Sequence, residues 1–182
     1  MIRFIDFFSA LFGLLLLWPV LILVTIIGYI DTGVPIFVQI RVGRHKKPFK
    51  LIKFRTMSVE TKSVASHLAT NASITRLGTI LRKTKIDELP QLINVVKGDM
   101  SLVGPRPNLF NQEELIAERD AKGVYDVLPG ITGLAQIQNI DMSTPELLAK
   151  TDKQMIESIT LKGYFKYILM TVTGSGAGDA VK

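Results

Sequence analysis

The sequence contains no cysteine, so disulfide scaffolds, thiolate metal sites and cysteine nucleophiles are excluded together. Its two histidines, His45 and His67, are far apart and in unlike surroundings, which argues against a histidine-built zinc site. Acid is nearly missing from one long stretch: residues 32–86 hold twelve Lys or Arg and a single acidic residue, Glu60. There is no internal repeat, and 182 residues suffice for one ordinary domain but not for two well-packed ones. What is present is grease and positive charge. The chain is 47% apolar and 21% charged, which excludes a disordered polymer. A mean hydropathy of +0.30 with a net charge of +6 points to a membrane, an anionic ligand, or both.

The apolar excess sits at the start. Residues 7–30 form a run of 24 without a formal charge, bounded by Asp6 and Asp31. As a helix this run is about 36 Å long, enough to cross a hydrocarbon core of about 30 Å. A secretory signal fits poorly, because the run is long and no small-residue cleavage site follows. Pro19 divides it into two halves. Proline removes a backbone donor and crowds the preceding turn. The residues therefore allow a kinked full crossing, or a hairpin whose halves, each roughly 18 Å, enter and leave by one face. The basic segment that follows, with seven Lys or Arg in residues 41–55, places the chain beyond the run in the cytoplasm. Anionic headgroups would attract it by about 1 kcal/mol per base. No nucleic-acid recognition motif or aromatic platform accompanies these bases, so no nucleic-acid partner is expected.

Beyond the apolar run, two extended stretches, 36–40 and 49–54, flank a turn and predict a short hairpin. Residues 58–72 are polar and unpatterned, a loop or lid, and 74–83 are helical and basic. Leu89, Leu92, Ile93 and Val96 repeat at helical spacing before Gly98, with Asp87 as the expected N-cap and Pro90 in the first turn. Residues 111–122 form an amphipathic helix ended by Gly123. Ser143 and Glu146 form a capping-box pattern for a helix running to about Ser158. Residues 159–172 have the composition of an interfacial helix or of an ordinary core helix. A Gly-rich tail closes the chain.

Asp87 and Glu88 are adjacent acids directly after a basic segment, and both the helix start and the bases favour their ionised forms. Acids at this position are also common caps. In Gly104-Pro105-Arg106-Pro107 an arginine is fixed between two prolines, on a stiff backbone suited to presenting a guanidinium to phosphate. Lys53 and Arg55, at the end of the hairpin, add two candidate phosphate contacts.

Several segments carry a resemblance. Gln39-Ile40-Arg41-Val42-Gly43, Phe54-Arg55-Thr56-Met57, Leu81-Arg82-Lys83-Thr84 and Asp87-Glu88-Leu89-Pro90-Gln91-Leu92 occur in order. Asn94-Val95, the segment from Lys97 and Asp99 to Pro107, and Pro129-Gly130-Ile131-Thr132-Gly133-Leu134-Ala135-Gln136 follow. Together they resemble the bacterial sugar transferase family, the small monotopic phosphoglycosyl transferases, over nearly the whole chain. The resemblance implies transfer of a sugar 1-phosphate from a UDP-sugar to undecaprenyl phosphate, with release of UMP, as the first membrane step of glycoconjugate assembly. It implies that Asp87 is the nucleophile of a covalent phospho-sugar intermediate, and that Asp87 and Glu88 hold Mg²⁺. Lys53, Arg55, Arg82 and Arg106 are the implied phosphate-binding residues. Pro105, Pro107, Gln91, Asn94, Asp99 and Gln136 are the implied supporting residues. The implied fold is α+β and mostly helical. It comprises a re-entrant membrane helix over residues 1–31, broken at Pro19, and a cytoplasmic catalytic domain over 32–182. That domain carries a short β-hairpin and amphipathic interfacial helices on the cytoplasmic face of the bacterial inner membrane. Met155 departs from the family, where many members have an aromatic residue. Two rival readings remain, a catalytically inactive basic adaptor and a glycosyltransferase that releases UDP.

Overall fold

The structure, a computed structural model, describes residues 1–61 and 73–174. The polar stretch read as a loop or lid falls largely at 62–72, and most of the Gly-rich tail beyond 174. Both lie outside the described residues. The fold is mostly helical α+β, with one long apolar helix at the start and two small sheets.

Helix α1 (Ile2–Thr32) stops at Gly33, whose left-handed φ of 72° lets its N–H reach the Tyr29 carbonyl. It is long and apolar enough to cross a membrane. The expected break at Pro19 is not a change of secondary structure: the helix runs through the proline without interruption. Leucine-rich turns on both sides sustain it, and both halves pack on the same domain. Asp6, Ala10, Val24 and Gly28 are buried, and Gly13, Val20 and Leu21 continue the same stripe at helical spacing. Ala10 joins Leu51, Val95 and Met100, whereas Val24 joins Phe54 and Leu81. A Cβ on Gly13 would lie 3.2 Å from Leu92 Cδ1, so the glycine leaves room for that side chain. Phe4, Phe8, Phe12, Leu16, Leu23 and Ile30 face outward.

Strands β1 (Ile36–Val42) and β2 (Pro48–Phe54) form the expected antiparallel hairpin, in register from Ile36–Phe54 to Val42–Pro48. Helix α2 (Arg76–Thr84) is capped by Thr75, whose hydroxyl accepts from Gly78 N–H. Asp87 is not the N-cap of the next helix. The left-handed Lys85 (φ 57°) ends α2, a 3₁₀ turn over Ile86–Glu88 redirects the chain, and α3 (Gln91–Lys97) begins after Pro90. The two acids are thereby placed in a tight, buried turn between helices.

Strand β3 (Ser101–Val103) pairs in parallel with β4 (Gly130–Thr132), a contact that three-residue strands do not announce. Between them come α4 (Glu113–Ala121) and a 3₁₀ turn over Val124–Asp126. Helices α5 (Leu134–Ile137), α6 (Pro145–Ser158) and α7 (Leu161–Val172) complete the fold. The capping box expected at α6 does not form. Ser143 N–H and hydroxyl both donate to Asp141, and Thr144 takes the cap position with its hydroxyl donating back to Asp141 O (3.3 Å) instead of capping the helix. Helix α7 combines the two characters read from its composition. Tyr164 is buried, whereas Leu161, Phe165, Leu169 and Val172 are exposed.

The first turns of α1 are anchored by polar contacts that the apolar run hides. Arg3 donates to the carbonyls of Val95 (2.5 Å) and Val96 (3.0 Å) at the end of α3. Asp6, 1% exposed, accepts from Ser101 Oγ (3.1 Å), Leu102 N–H (2.8 Å) and the Tyr164 hydroxyl. Burial and the Asp6 bond together push the Tyr164 phenol far above its ordinary range, so it stays protonated and donates. Replacing Asp6 by Ala strands these donors in the interior. The expected loss is about 3 kcal/mol, measured as thermal unfolding in lipid nanodiscs against the wild type. An unchanged midpoint would show that Asp6 is not an anchor.

Candidate functional site

The site is built on the 3₁₀ turn between α2 and α3. Asp87 is 2% exposed and Glu88 7%, so both acids sit inside the protein edge. Burial of a carboxylate requires a charged partner, and Arg106 supplies it. Its Nη2 lies 2.7 Å from Glu88 Oε1.

What holds Arg106 there is the backbone on either side of it. Four successive carbonyls are tied to three other parts of the fold. Pro105 O accepts from Gly130 N–H (2.9 Å), and Arg106 O from Arg119 (2.8 Å). Pro107 O accepts from Arg41 (3.1 Å), and Asn108 O from Val42 N–H (2.9 Å). The two prolines have no N–H to satisfy and fixed φ, so the segment carries its arginine on a rigid mount. Gly104 and Gly130 are required where the mount meets β4. A Cβ on Gly130 would lie 2.0 Å from Gly104 N.

Beside the acid pair is a small recess lined by Arg41, Lys53, Gln91, Arg106, Pro107 and Ile131. Lys53, 8% exposed, points inward from β2 and lies over the Phe37 ring at 5.7 Å. Of the residues expected from the sequence, the structure thus brings Lys53, Gln91, Arg106 and Pro107 to one recess, beside Asp87 and Glu88. Others have structural partners. Arg55 donates to Val34 O (2.9 Å) and packs on Phe37, and Arg82 donates to Thr56 Oγ1 (2.9 Å). Asn94, fully buried, joins α3 to β2 by donating to Lys50 O (2.7 Å) and accepting from Ile52 N–H (3.1 Å). Asp99 accepts from the Asn94 amide (3.2 Å). Gln136 donates to the Ile131 carbonyl at the recess wall (3.3 Å).

Sequence reasoning missed Arg41 as a site residue because it lies in the basic segment, whose charge as a whole points to the membrane surface. The signal was its spacing: Gln39 and Arg41 alternate inward on a short strand. Arg119 was missed as well. It is 1% exposed and lies one turn beyond the buried Leu115. It donates through Nε (3.0 Å) and Nη2 (2.7 Å) to Asp152 Oδ2, and through Nη1 to Asn108 Oδ1 (2.9 Å) as well as to Arg106 O. Burial raises the Asp152 carboxyl above its usual range, and the Arg119 guanidinium pulls against it. Lys85 also belongs to the site. Burial lowers its ammonium, with Glu88 pulling it up and Arg106 pushing it down.

Chemically, two buried carboxylates are ringed by cations, an arrangement that recruits a polyanion. Among the described residues no group of three or more His, Asp or Glu converges to cage a metal ion. A pair of adjacent carboxylates nonetheless suits Mg²⁺, which keeps several waters and is completed by substrate phosphates.

Residues 1–176 match the family model described as "Bacterial sugar transferase". The chain is 41% identical over 172 residues to the uncharacterized sugar transferase EpsL of Bacillus subtilis (strain 168), covering 93% of this chain and 84% of that protein. It is 36% identical over 178 residues to the exopolysaccharide production protein PSS of Rhizobium leguminosarum bv. phaseoli, covering 92% and 88%. It is also 36% identical over 180 residues to the UDP-glucose:undecaprenyl-phosphate glucose-1-phosphate transferase of Caulobacter vibrioides (strain ATCC 19089 / CIP 103742 / CB 15), covering 93% and 67%.

Removing Arg119 leaves Asp152 buried without its cation. Arg119→Met is expected to cost about 3–5 kcal/mol at neutral pH. A carboxyl whose native pKa is raised is favoured in its protonated form, so stability falls as pH rises through that value. The deficit relative to wild type should therefore shrink as pH is lowered toward the carboxylate range. Thermal melts of both proteins across pH test this, and a deficit independent of pH would sink it.

Proposed function

Since the chain belongs to the bacterial sugar transferase family and is a phosphoglycosyl transferase, we propose that it moves a sugar 1-phosphate from a UDP-sugar to undecaprenyl phosphate through a covalent aspartyl intermediate. The observation that carries this reading is the pairing of Glu88 with Arg106 on a mount tied through four carbonyls, next to Asp87. Asp87 is taken as the attacking group, as the family resemblance implies, and Glu88, bonded to Arg106, is the acid beside it.

An Asp87 carboxylate oxygen attacks the β-phosphorus of the UDP-sugar. As that bond forms, the bond from the β-phosphorus to the bridging oxygen breaks, and UMP leaves with the electron pair. A phosphate oxygen of undecaprenyl phosphate then attacks the same phosphorus, and Asp87 leaves as a carboxylate. Lys53, Arg41 and Arg106 supply positive charge for the diphosphate in the recess, with Arg55 and Arg82 further out among the phosphate-binding cations. Asp87 and Glu88 would hold Mg²⁺, which when bound offsets the repulsion between a carboxylate and a diphosphate.

The packing of α1 supports a seating in which the helix enters the bilayer without crossing it. From Arg3 to Gly28, about 38 Å of helix, its inner stripe is held by the same polar domain. A perpendicular crossing would draw the hairpin and α3 into hydrocarbon, where their polar groups are costly. The outward side of α1 and the exposed edge of α7 then form one lipid-facing surface, on the cytoplasmic side that the basic segment favours.

Two experiments test these readings. Wild-type protein with a UDP-sugar and no acceptor should release one equivalent of UMP and gain the mass of a phospho-sugar, whereas Asp87→Asn should do neither and lose at least about a thousandfold in turnover. With undecaprenyl phosphate added, release of UDP would instead indicate transfer of the sugar alone, and release of neither nucleotide an inactive adaptor. For topology, the cysteine-free chain allows a single Ile2→Cys reporter. It should resist an impermeant maleimide in intact cells and react after permeabilisation, and ready labelling in intact cells would establish a full crossing.

A further inference from the structure

The cations near the acid pair are not all in one place. Arg41, Lys53 and Arg106 line the recess. Lys85 does not line it. Its ammonium is near enough to Glu88 and Arg106 to be influenced by both. It donates to the carbonyl of Thr171 (3.3 Å) in the last turn of α7. Thr171 is itself bonded through its hydroxyl to Thr132 at the end of β4, which fixes this turn of α7 against the catalytic core. The same helix exposes Phe165, Leu169 and Val172. Lys85 therefore lies between the acids and the apolar edge of α7.

The backbone gives a second reason to ask what this lysine does. Lys85 has φ 57°, and its N–H closes the end of α2 on the carbonyls of Arg82 and Leu81. Glycine is the inexpensive residue at such a helix end, and a side chain there costs about 1 kcal/mol. A position that tolerates this cost, two residues before the nucleophile, is one where the side chain is used.

We propose that Lys85 binds the phosphate of the lipid acceptor, exchanging its bond to the Thr171 carbonyl for that phosphate as it reaches the acid pair past the end of α7. This rests on the transfer reading above. A polyprenyl phosphate has an apolar tail that stays in the bilayer and a dianionic head that must leave it. The head therefore approaches from the side where the protein is apolar outside and cationic within. That describes the edge of α7 with Lys85 behind it. The nucleotide sugar is water-soluble and takes the Arg41, Lys53 and Arg106 side. Phosphate held by Lys85 is brought next to the phospho-sugar on Asp87, and the ammonium offsets the charge of the approaching oxygen.

The two half-reactions separate this role from a structural one. The variants are Lys85→Gly, which relieves the left-handed backbone, and Lys85→Arg, which keeps the charge. They are assayed in nanodiscs with undecaprenyl phosphate and whichever of UDP-glucose, UDP-galactose or the UDP-N-acetylhexosamines the wild type turns over. Lys85→Gly should raise KM for undecaprenyl phosphate by about tenfold or more, the loss of one charge-assisted hydrogen bond, while KM for the UDP-sugar stays within about twofold. UMP release without acceptor should persist, Lys85→Arg should recover most of the acceptor KM, and the Lys85→Gly melting temperature should not fall. Equal increases in both KM values would move Lys85 to the donor side, and no change in either would leave it a helix-end contact; each overturns the proposal. A wild type with no acceptor-free UMP release would defeat the covalent reading alone, because the split between the two KM values still decides Lys85.

Discussion

The ion pair between Arg106 and Glu88 sets the terms for the rest of the molecule. Two adjacent carboxylates cannot be kept at 2% and 7% exposure without a cation within hydrogen-bonding distance, and that cation must not wander. The fold meets this constraint through backbone, by anchoring the four carbonyls from Pro105 to Asn108 to three elements. The hairpin supplies two of those anchors, α4 one and β4 one. The buried Arg119–Asp152 pair secures the α4 anchor to α6, so residues far from the acids in the chain determine how still the guanidinium is held. The short parallel pairing of β3 and β4 belongs to the same device, since it brings Gly130 against the start of the mount.

Helix α1 obeys a different economy. Its outward residues are large and apolar, while its inner stripe narrows to Ala10, Gly13 and Gly28 where the domain comes nearest. Small residues let the helix lie close against α3 and the start of β1, and dispersion along the stripe adds up over its length. The polar ends of that contact, Arg3 and Asp6, fix its register: a helix held only by leucines could slide by a turn, but one whose carboxylate must meet Ser101 and Tyr164 cannot.

Much of this was legible in the residues. The apolar run, the hairpin, α2, α4, α6 and α7 followed from periodicity and from Pro and Gly punctuation, because each of those signals is local. Asp87, Glu88, Lys53 and Arg106 were recognisable as a set through motif order, and the structure gathers them. What stayed hidden depended on distant partners. Asp87 reads as a cap because acids before a helical pattern usually are, and only the left-handed Lys85 diverts it into a 3₁₀ turn. Arg119 and Asp152 give no sign of being a pair, because partners 33 residues apart leave no pattern in either helix. The strands β3 and β4 are too short to alternate. Pro19 reads as a break, yet the helix continues, because tertiary packing on both sides outweighs one missing donor.

Order of synthesis gives Asp6 one more consequence. Its phenolic partner lies 158 residues later in the chain, so for nearly the whole of translation the carboxylate has no Tyr164 to meet. Until α7 is made, the first turns of α1 can pack on the domain but cannot complete the bonds that fix their register, so the order of the chain makes the N-terminal anchor one of the last contacts to close.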